Sequence, residues 1–323
     1  MTEHPGDFSL LEPDTIFEAA EKHSGLFFDG VLTHYNSYVN RVYGLKDEDD
    51  REYVAKFYRP GRWSEKAILE EHEFLADAAD AELPVVSPIQ GKSGSTLGSH
   101  EGYRFALFPR LRARTFDIYQ EEDWIRVGAL IGRLHEAGCK KKSIHRVVCA
   151  PDGVAAKTIG ILRENSLVHP DCEAEFFAVC DHAMKTFPAR FEGIPFQRIH
   201  GDCHRGNMLE TASRELSLID FDDMMTGPAV QDLWLLLPGY LKDSRREMNL
   251  IIEGYEQFRP FDRAWLDLVE PLRFMRQLYF LGWQAAQRGD AGFQERYPGW
   301  GSRAFWITET EDLALQLAEA EKT

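Results

Sequence analysis

Residues 200–207 read His200-Gly201-Asp202-Cys203-His204-Arg205-Gly206-Asn207, and residues 218–222 read Leu218-Ile219-Asp220-Phe221-Asp222. Asp202 and Asn207 are five residues apart, and Asp220 follows Asp202 by 18. The second stretch is an apolar strand that ends in acids. Phosphoryl transfer from ATP needs a carboxylate to orient the attacking hydroxyl and accept its proton. It also needs oxygen ligands that hold Mg²⁺ against the phosphates, because positioning and electrostatics stabilise the transition state. Mg²⁺ takes one or two protein carboxylates beside phosphate and water. The spacing predicts that set, with Asp202 as the base, Asn207 and Asp220 as metal ligands, and Asp202 and Asp220 as the catalytic pair.

The two stretches resemble the H-R-D-x₄-N loop and the D-F-G element of protein kinases. A further run, Tyr53-Val54-Ala55-Lys56-Phe57, is β-rich with a lysine in its middle, like the kinase V-A-I-K strand. Lys56 is expected to reach the α- and β-phosphates and to be held by a carboxylate of the next helix. Glu70 and Glu71 both lie in that helix; Glu71 is preferred, although spacing alone does not decide between them. No G-x-G-x-x-G loop precedes Lys56. The corresponding stretch runs from Asn36 through Ser37 to Gly44, and Ser37 with its neighbouring backbone N–H groups can still form an anion nest.

Composition narrows the class. The chain has 323 residues, 44% of them hydrophobic, enough for a well-buried core and two lobes. A formal net charge of -16 argues against a nucleic-acid partner and against docking on anionic lipid. The five cysteines, Cys139, Cys149, Cys172, Cys180 and Cys203, form no C-x-x-C pair, which points to a reducing compartment rather than a disulfide framework or zinc site. The start, MTEHPGDFSLLEPD, has no apolar h-region. The longest apolar stretch, around Leu233 to Leu241, is far shorter than the roughly 20 residues that cross a bilayer. The expectation is a cytoplasmic, soluble protein.

Along the chain, residues Glu12 to His23 read as a helix with Asp14 as N-cap. Asn40–Leu45 and Glu52–Phe57 read as strands joined by a charged turn. Ser64 caps a helix to about Ala79, with Ile68, Leu69, His72 and Leu75 on one face. Another strand pair is expected around a Gly/Ser turn at Gly91–Gly98, ending in Tyr103–Phe108. Pro109 to Thr115 reads as a connector. Beyond it the pattern is mostly helical from Glu121–Ala137 onward, apart from a strand-rich interval at Arg198 to Asp223. The composition shift predicts a nucleotide-binding lobe over 1–109 and a catalytic and acceptor-binding lobe over 110–323.

HGDCHRGN, IDFDD and the later run from Gly227 to Trp234 resemble the aminoglycoside phosphotransferase and choline kinase superfamily. NSYVNRVY, VAKFYRPGRW, ILEEH, GRLHEAG, IHR and GPAVQDLW extend the likeness, in order over nearly the whole chain, to bacterial stress-response Ser/Thr protein kinases of that fold. The resemblance implies an α+β, protein-kinase-like fold with a small antiparallel-sheet lobe, a larger helical lobe and ATP in the cleft. It implies Asp202 as proton acceptor, Asn207 and Asp220 on Mg²⁺, Ser37 in contact with ATP, a monomer, and protein Ser/Thr acceptors with autophosphorylation. The sequence departs from the family at Arg205, where a small residue is common, and at Asp222, where protein kinases have Gly.

The alternatives are a small-molecule kinase acting on an aminoglycoside, choline or amino alcohol, and a nucleotide-binding pseudokinase. Residues 220 to 232 leave no room for a long activation loop, and no A-P-E element follows. Acids at Asp222, Asp223, Glu253, Glu256, Asp262, Asp267 and Glu270 would favour a cationic acceptor if they lined its groove. His200, His204 and His135 read as bracing or core residues, Asp232 as an N-cap or a tie for the loop, and Cys203 as inert. Phe274, Tyr279, Phe280 and Trp283 have helical spacing and read as core, with the lining of an acceptor groove as the alternative.

Overall fold

The computed structural model describes Phe8, residues 10–290 and residues 292–322. Most of the stretch read above for a leader therefore lies outside the described residues. The chain runs through α1 (Pro13–Ser24), β1 (Thr33–Tyr35), β2 (Arg41–Lys46), β3 (Glu52–Tyr58), α2 (Glu65–Asp80), β4 (Gly98–His100), β5 (Tyr103–Pro109) and β6 (Ala113–Thr115). α3 (Glu121–Gly138), α4 (Ala156–Glu164), α5 (Pro170–Thr186) and α6 (Pro188–Phe191) follow. Next come β7 (Phe196–Ile199), β8 (Met208–Thr211), β9 (Leu216–Leu218) and β10 (Met225–Pro228). The chain then continues through α7 (Val230–Trp234), α8 (Arg245–Tyr255), α9 (Val269–Gln287), α10 (Phe293–Arg296) and α11 (Arg303–Ala320). The fold is α+β, with an antiparallel sheet in the N-terminal region and a mainly helical C-terminal part. The residues group into two compact units: one holds 1–117, 143–146 and 204–224, the other 118–142, 147–203 and 225–323.

In the first unit, the sheet has the order β1-β2-β3-β5-β4 and is antiparallel throughout. Lys56 sits on the central strand, opposite Val42 on one side and Ala106 on the other. Strand alternation sends Ala55 and Phe57 to one face, where Tyr43, Phe105, Leu107 and the α1 residues Ile16, Ala19 and Ala20 complete a core. Tyr58 and Ala106 pack on the other face with Ile68 of α2. Ser64 caps α2 by accepting a hydrogen bond from the Ala67 N–H at 3.2 Å. The buried stripe of α2 runs through Ala67, Ile68, Glu71, His72, Phe74, Leu75 and Ala78, so a carboxylate is carried inside with the apolar residues.

Three local expectations are corrected. Glu12, not Asp14, occupies the N-cap of α1, because Pro13 opens the helix and Asp14 falls in its first turn. The β4–β5 hairpin turns at Glu101 and Gly102, both at positive φ, rather than at Gly91–Gly98. Gly98 lies within β4, where a Cβ would stand 2.4 Å from the Phe105 ring. Part of the expected connector, Ala113–Thr115, is β6, and it joins a three-stranded sheet of order β6-β8-β9. Its register sets Ala113 opposite Thr211 and Met208 opposite Leu218.

In the second unit, α3 packs on α8, α11 packs on α5 and α9, and β7 pairs with β10. The α3–α8 crossing depends on missing side chains. A Cβ on Gly128 would sit 1.9 Å from the Ile251 carbonyl oxygen, and one on Gly254 1.9 Å from that of Ile125. Gly128→Ala and Gly254→Ala should each cost about 2 kcal/mol or more by forcing these backbones apart. Gly160→Ala in α4, whose Cβ would meet nothing nearer than 4.0 Å, should instead be neutral or stabilising, since alanine is the better helix former. Thermal denaturation of the three variants checks this, and equal Tm shifts in all three would contradict it.

Candidate active site

Lys56 is the centre of a buried charge cluster in the first unit. Its Nζ lies 3.4 Å from Glu71 Oε1, 3.1 Å from Asp220 Oδ1 and 3.5 Å from Asp222 Oδ1. The other Glu71 oxygen accepts from Arg146 Nη2 at 2.8 Å. Arg146 also donates to the Ala67 carbonyl at 2.7 Å and the Asp222 carbonyl at 2.6 Å, and its guanidinium lies 4.4 Å from the centre of the Trp63 ring. Arg62 pairs with Asp222 at 3.3 Å and Asp223 at 2.6 Å. Glu70 points elsewhere: it accepts from the backbone N–H groups of Ile144 and His145. Of the two candidates, Glu71 is the one that stands beside Lys56.

Asn207 and Asp220 lie at the same end of the β8–β9 pair. Asn207 closes a 3₁₀ turn at Arg205–Asn207, immediately before Met208, and the Ile219 N–H donates to its carbonyl at 3.0 Å. Asp220 adopts a left-handed backbone, φ 60 and ψ 66, and its side chain is 55% exposed. A buried amide oxygen and an open carboxylate at one strand end are the hard donors a divalent cation accepts. Among the described residues, no group of three or more His, Cys, Asp and Glu side chains is placed to hold a metal. Ser37 lies in the turn between β1 and β2 and is half-buried. That turn is braced by Arg59, whose backbone N–H donates to the Asn40 side chain and whose Nε donates to the Val39 carbonyl.

Asp202 belongs to the second unit. The backbone ahead of it is clamped by Asp232, a wholly buried carboxylate that accepts from the His200 N–H at 2.7 Å and the Gly201 N–H at 2.8 Å. His135 Nε2 stands 3.0 Å from the same carboxylate, and its Nδ1 3.1 Å from the Tyr255 hydroxyl. Of the two readings, Asp232 is the tie rather than a cap. Gly201 has φ 82, a left-handed bend, and the Asp202 N–H returns to His200 Nδ1 at 3.3 Å. The Asp202 carboxylate is paired with Arg276 of α9 at 2.5 Å. Burial pushes the Cys203 thiol well above its usual range, which fits an inert residue.

Residues 32–269 match the phosphotransferase enzyme family. The chain belongs to that family. It is 38% identical to stress response kinase A of Escherichia coli strain K12, over 96% of this chain and 93% of that protein. It is 37% identical to serine/threonine protein kinase RdoA of Salmonella typhimurium, over 98% of this chain and 95% of that one. The solved structure of amicoumacin kinase hAmiN with AMP-PNP, Ca²⁺ and Ami has a TM-score of 0.73 at 16% identity, covering 96% of this chain and 93% of that one. This last likeness establishes the kinase-like fold. The protein is therefore a phosphotransferase, and membership of a kinase family implies ATP binding.

Sequence reasoning missed three arginines of this phosphotransferase. Arg62, Arg146 and Arg276 find their acids at separations of 161, 75 and 74 residues, so no local pattern marks them. Four of the acids named as a possible acceptor groove are engaged within their own units. Asp222 and Asp223 hold Arg62, Asp262 caps a 3₁₀ helix, and Glu270 is buried against Arg273 and Gln316. Of the expected aromatic core, Phe274 is buried, but Phe280 is 46% exposed and stacks on Trp283. Among the described residues, no helix is long and apolar enough to cross a membrane.

Burial works against the charges of Lys56, Glu71 and Asp222, and neighbouring charges outweigh it for Lys56 and Asp222. For Lys56, burial is outweighed by Glu71, Asp222 and Asp220, and its pKa is held well above the usual value. For Asp222, burial is outweighed by Lys56, Arg62 and Arg146, and the carboxyl is lowered to about 2. Burial pushes Glu71 up in spite of Lys56 and Arg146, the reverse of what its pairing with Lys56 implies. With cations at 2.8 and 3.4 Å, the ion pair is the state we assign. The Asp222 value is depressed on folding, so its contribution is present above the ordinary value of 3.8 and is lost as pH falls through about 2. Denaturation midpoints of the wild-type protein and Asp222→Asn should differ by a constant gap above about pH 4 and converge toward about pH 2. A gap independent of pH over that range would contradict the ionised assignment.

Proposed function

We propose that this phosphotransferase is an ATP- and Mg²⁺-dependent serine/threonine protein kinase of a stress response. The observation that carries the reading is Lys56 Nζ, held within 3.4 Å of Glu71 and 3.1 Å of Asp220 in one buried cluster. Lys56 binds the α- and β-phosphates of ATP while Glu71 and Arg146 fix its direction. Ser37 and its neighbouring backbone N–H groups contact the phosphates from the β1–β2 turn. The charge count supports a cation beside Asp220: Lys56, Arg62 and Arg146 are balanced by Glu71, Asp222 and Asp223, three against three, and Asp220 is the surplus anion. Asn207 and Asp220 would hold Mg²⁺, which when bound neutralises charge on the phosphates.

Asp202 orients the acceptor hydroxyl and takes its proton. The hydroxyl oxygen bonds to the γ-phosphorus as the bond from that phosphorus to the bridging oxygen breaks, and ADP leaves. Arg276 and the Asp232 clamp keep Asp202 in place. Protein Ser/Thr hydroxyls, including the kinase's own, are favoured as acceptors by the serine/threonine protein kinase named above, which is 37% identical over 95% of its length. A cytoplasmic monomer completes the reading.

The test uses purified protein, labelled ATP and Mg²⁺, offered generic proteins in one set and amino alcohols and aminoglycosides in another. Label should enter protein, including the kinase itself, and chelation of Mg²⁺ should abolish transfer. Asp202→Ala should lower kcat by about 10²- to 10⁴-fold with ATP affinity nearly intact. Asn207→Ala and Asp220→Ala should weaken nucleotide binding as well as turnover, and Lys56→Ala should lower turnover. Label that enters a small molecule at far higher kcat/KM would overturn the protein-acceptor reading. Full activity in both Asp202→Ala and Asp220→Ala would overturn the site.

A further inference from the structure

Beside Asp202 the second unit carries an arginine, Arg276, where the sequence suggested acids. Arg276 stands on α9 with Leu272, Met275 and Tyr279, a stripe at helical spacing, and its guanidinium lies 5.5 Å from the centre of the Tyr279 ring. These four residues line a cavity of about 20 Å³ together with Gly201, the residue before Asp202. Among the described residues that line it, Arg276 is the one charged side chain, and the rest of the wall is mainly apolar, with Val154 and Met225.

We propose that Arg276 selects the acceptor by charge, favouring a hydroxyl that has a carboxylate or phosphate close beside it and rejecting cationic acceptors. The inference rests on the reading of Asp202 as the base. A hydroxyl that reaches Asp202 must come within about 2.6–3.2 Å of that carboxylate. The guanidinium is 2.5 Å from the same carboxylate, so it meets whatever flanks the hydroxyl. A guanidinium binds carboxylate and phosphate through a planar fork of N–H donors. An anion on the acceptor competes for that fork with the groups that already hold it. An ammonium group on the acceptor meets a like charge instead, and the Asp202 carboxylate is already paired. Choline and aminoglycosides bring such groups, and so does a Ser or Thr flanked by Lys or Arg. Arg276 acts as a positioning and specificity residue, through the acceptor and through Asp202.

The experiment offers the full-length protein, with labelled ATP and Mg²⁺, a peptide series in which one Ser or Thr has acidic, neutral or basic flanks. Small hydroxy acids and amino alcohols form a second arm. Wild-type kcat/KM should favour acidic over basic flanks by about 10- to 100-fold, with the difference mainly in KM. Arg276→Met should remove the preference, Arg276→Lys should keep part of it, and Arg276→Glu should reverse it, each variant first shown by circular dichroism to be folded. A wild-type preference for basic flanks, or a preference unchanged in Arg276→Met, overturns the inference. Label entering hydroxy acids but no peptide removes the protein-acceptor reading and supports charge selection. Label entering peptides regardless of flanking charge does the opposite.

Discussion

Taking the Lys56 ammonium out of water costs several kcal/mol unless anions stand close, and three carboxylates do, at 3.1 to 3.5 Å. Each of those carboxylates must in turn be satisfied, and that requirement propagates through the first unit. Glu71 recruits Arg146 from the segment at 143–146, and Asp222 recruits Arg62 from the turn after β3. Arg146 then fills its remaining donors with the Ala67 and Asp222 carbonyls. Four stretches distant in sequence are thereby tied to one ammonium: β3, α2, residues 143–146 and the turn at 220–223. Hydrophobic packing could not fix them so sharply, because it has no direction, whereas each of these contacts specifies a donor and an acceptor.

The second unit uses the same logic around an anion. Asp232 is wholly buried, and the His200 and Gly201 N–H groups and the His135 ring converge on it. Burial lowers the His135 pKa, and the pairing with Asp232 only partly offsets that, so the ring is a neutral donor rather than a counter-ion. The negative charge is therefore stabilised chiefly by N–H dipoles of the very backbone that leads into Asp202. The left-handed bend at Gly201 lets two successive N–H groups point at one carboxylate. The placement of Asp202, the proposed base, thus depends on Asp232, a group that would touch neither ATP nor acceptor.

Legibility followed sequence distance. The Ser64 cap, the Lys56 strand and the two acid-bearing stretches are local patterns, and reading them needs only their neighbours. Spacing left Glu70 and Glu71 open, and the structure decides between them: Ile68, Glu71 and Leu75 share the buried stripe of α2 and Glu70 does not. β6 is three residues long and its partner lies 96 or so positions away, so no periodicity announces it. The glycines of the α3–α8 crossing look like weak helix formers until the facing carbonyls are known. The arginines of both units were invisible for the same reason: a long-range ion pair leaves no mark on either local sequence.

Asp222 shows what a departure from a familiar pattern can do. Protein kinases carry a glycine at this position, which leaves the turn free to change conformation. Here the turn is held at every residue. Asp220 takes a left-handed backbone, which costs roughly 1 kcal/mol for a residue with a Cβ. Phe221 is buried and meets the Phe74 ring edge-on at 5.6 Å. Asp222 is ionised among three cations, its carbonyl accepts from Arg146, and Asp223 takes Arg62. Turning this segment over would strip one buried and one half-buried carboxylate from their partners and expose an aromatic ring, a cost well beyond the backbone strain that it would relieve. The strained Asp220 conformation is thus stable because its neighbours leave it no alternative. Its open carboxylate is held in one direction by the Lys56 ammonium at 3.1 Å.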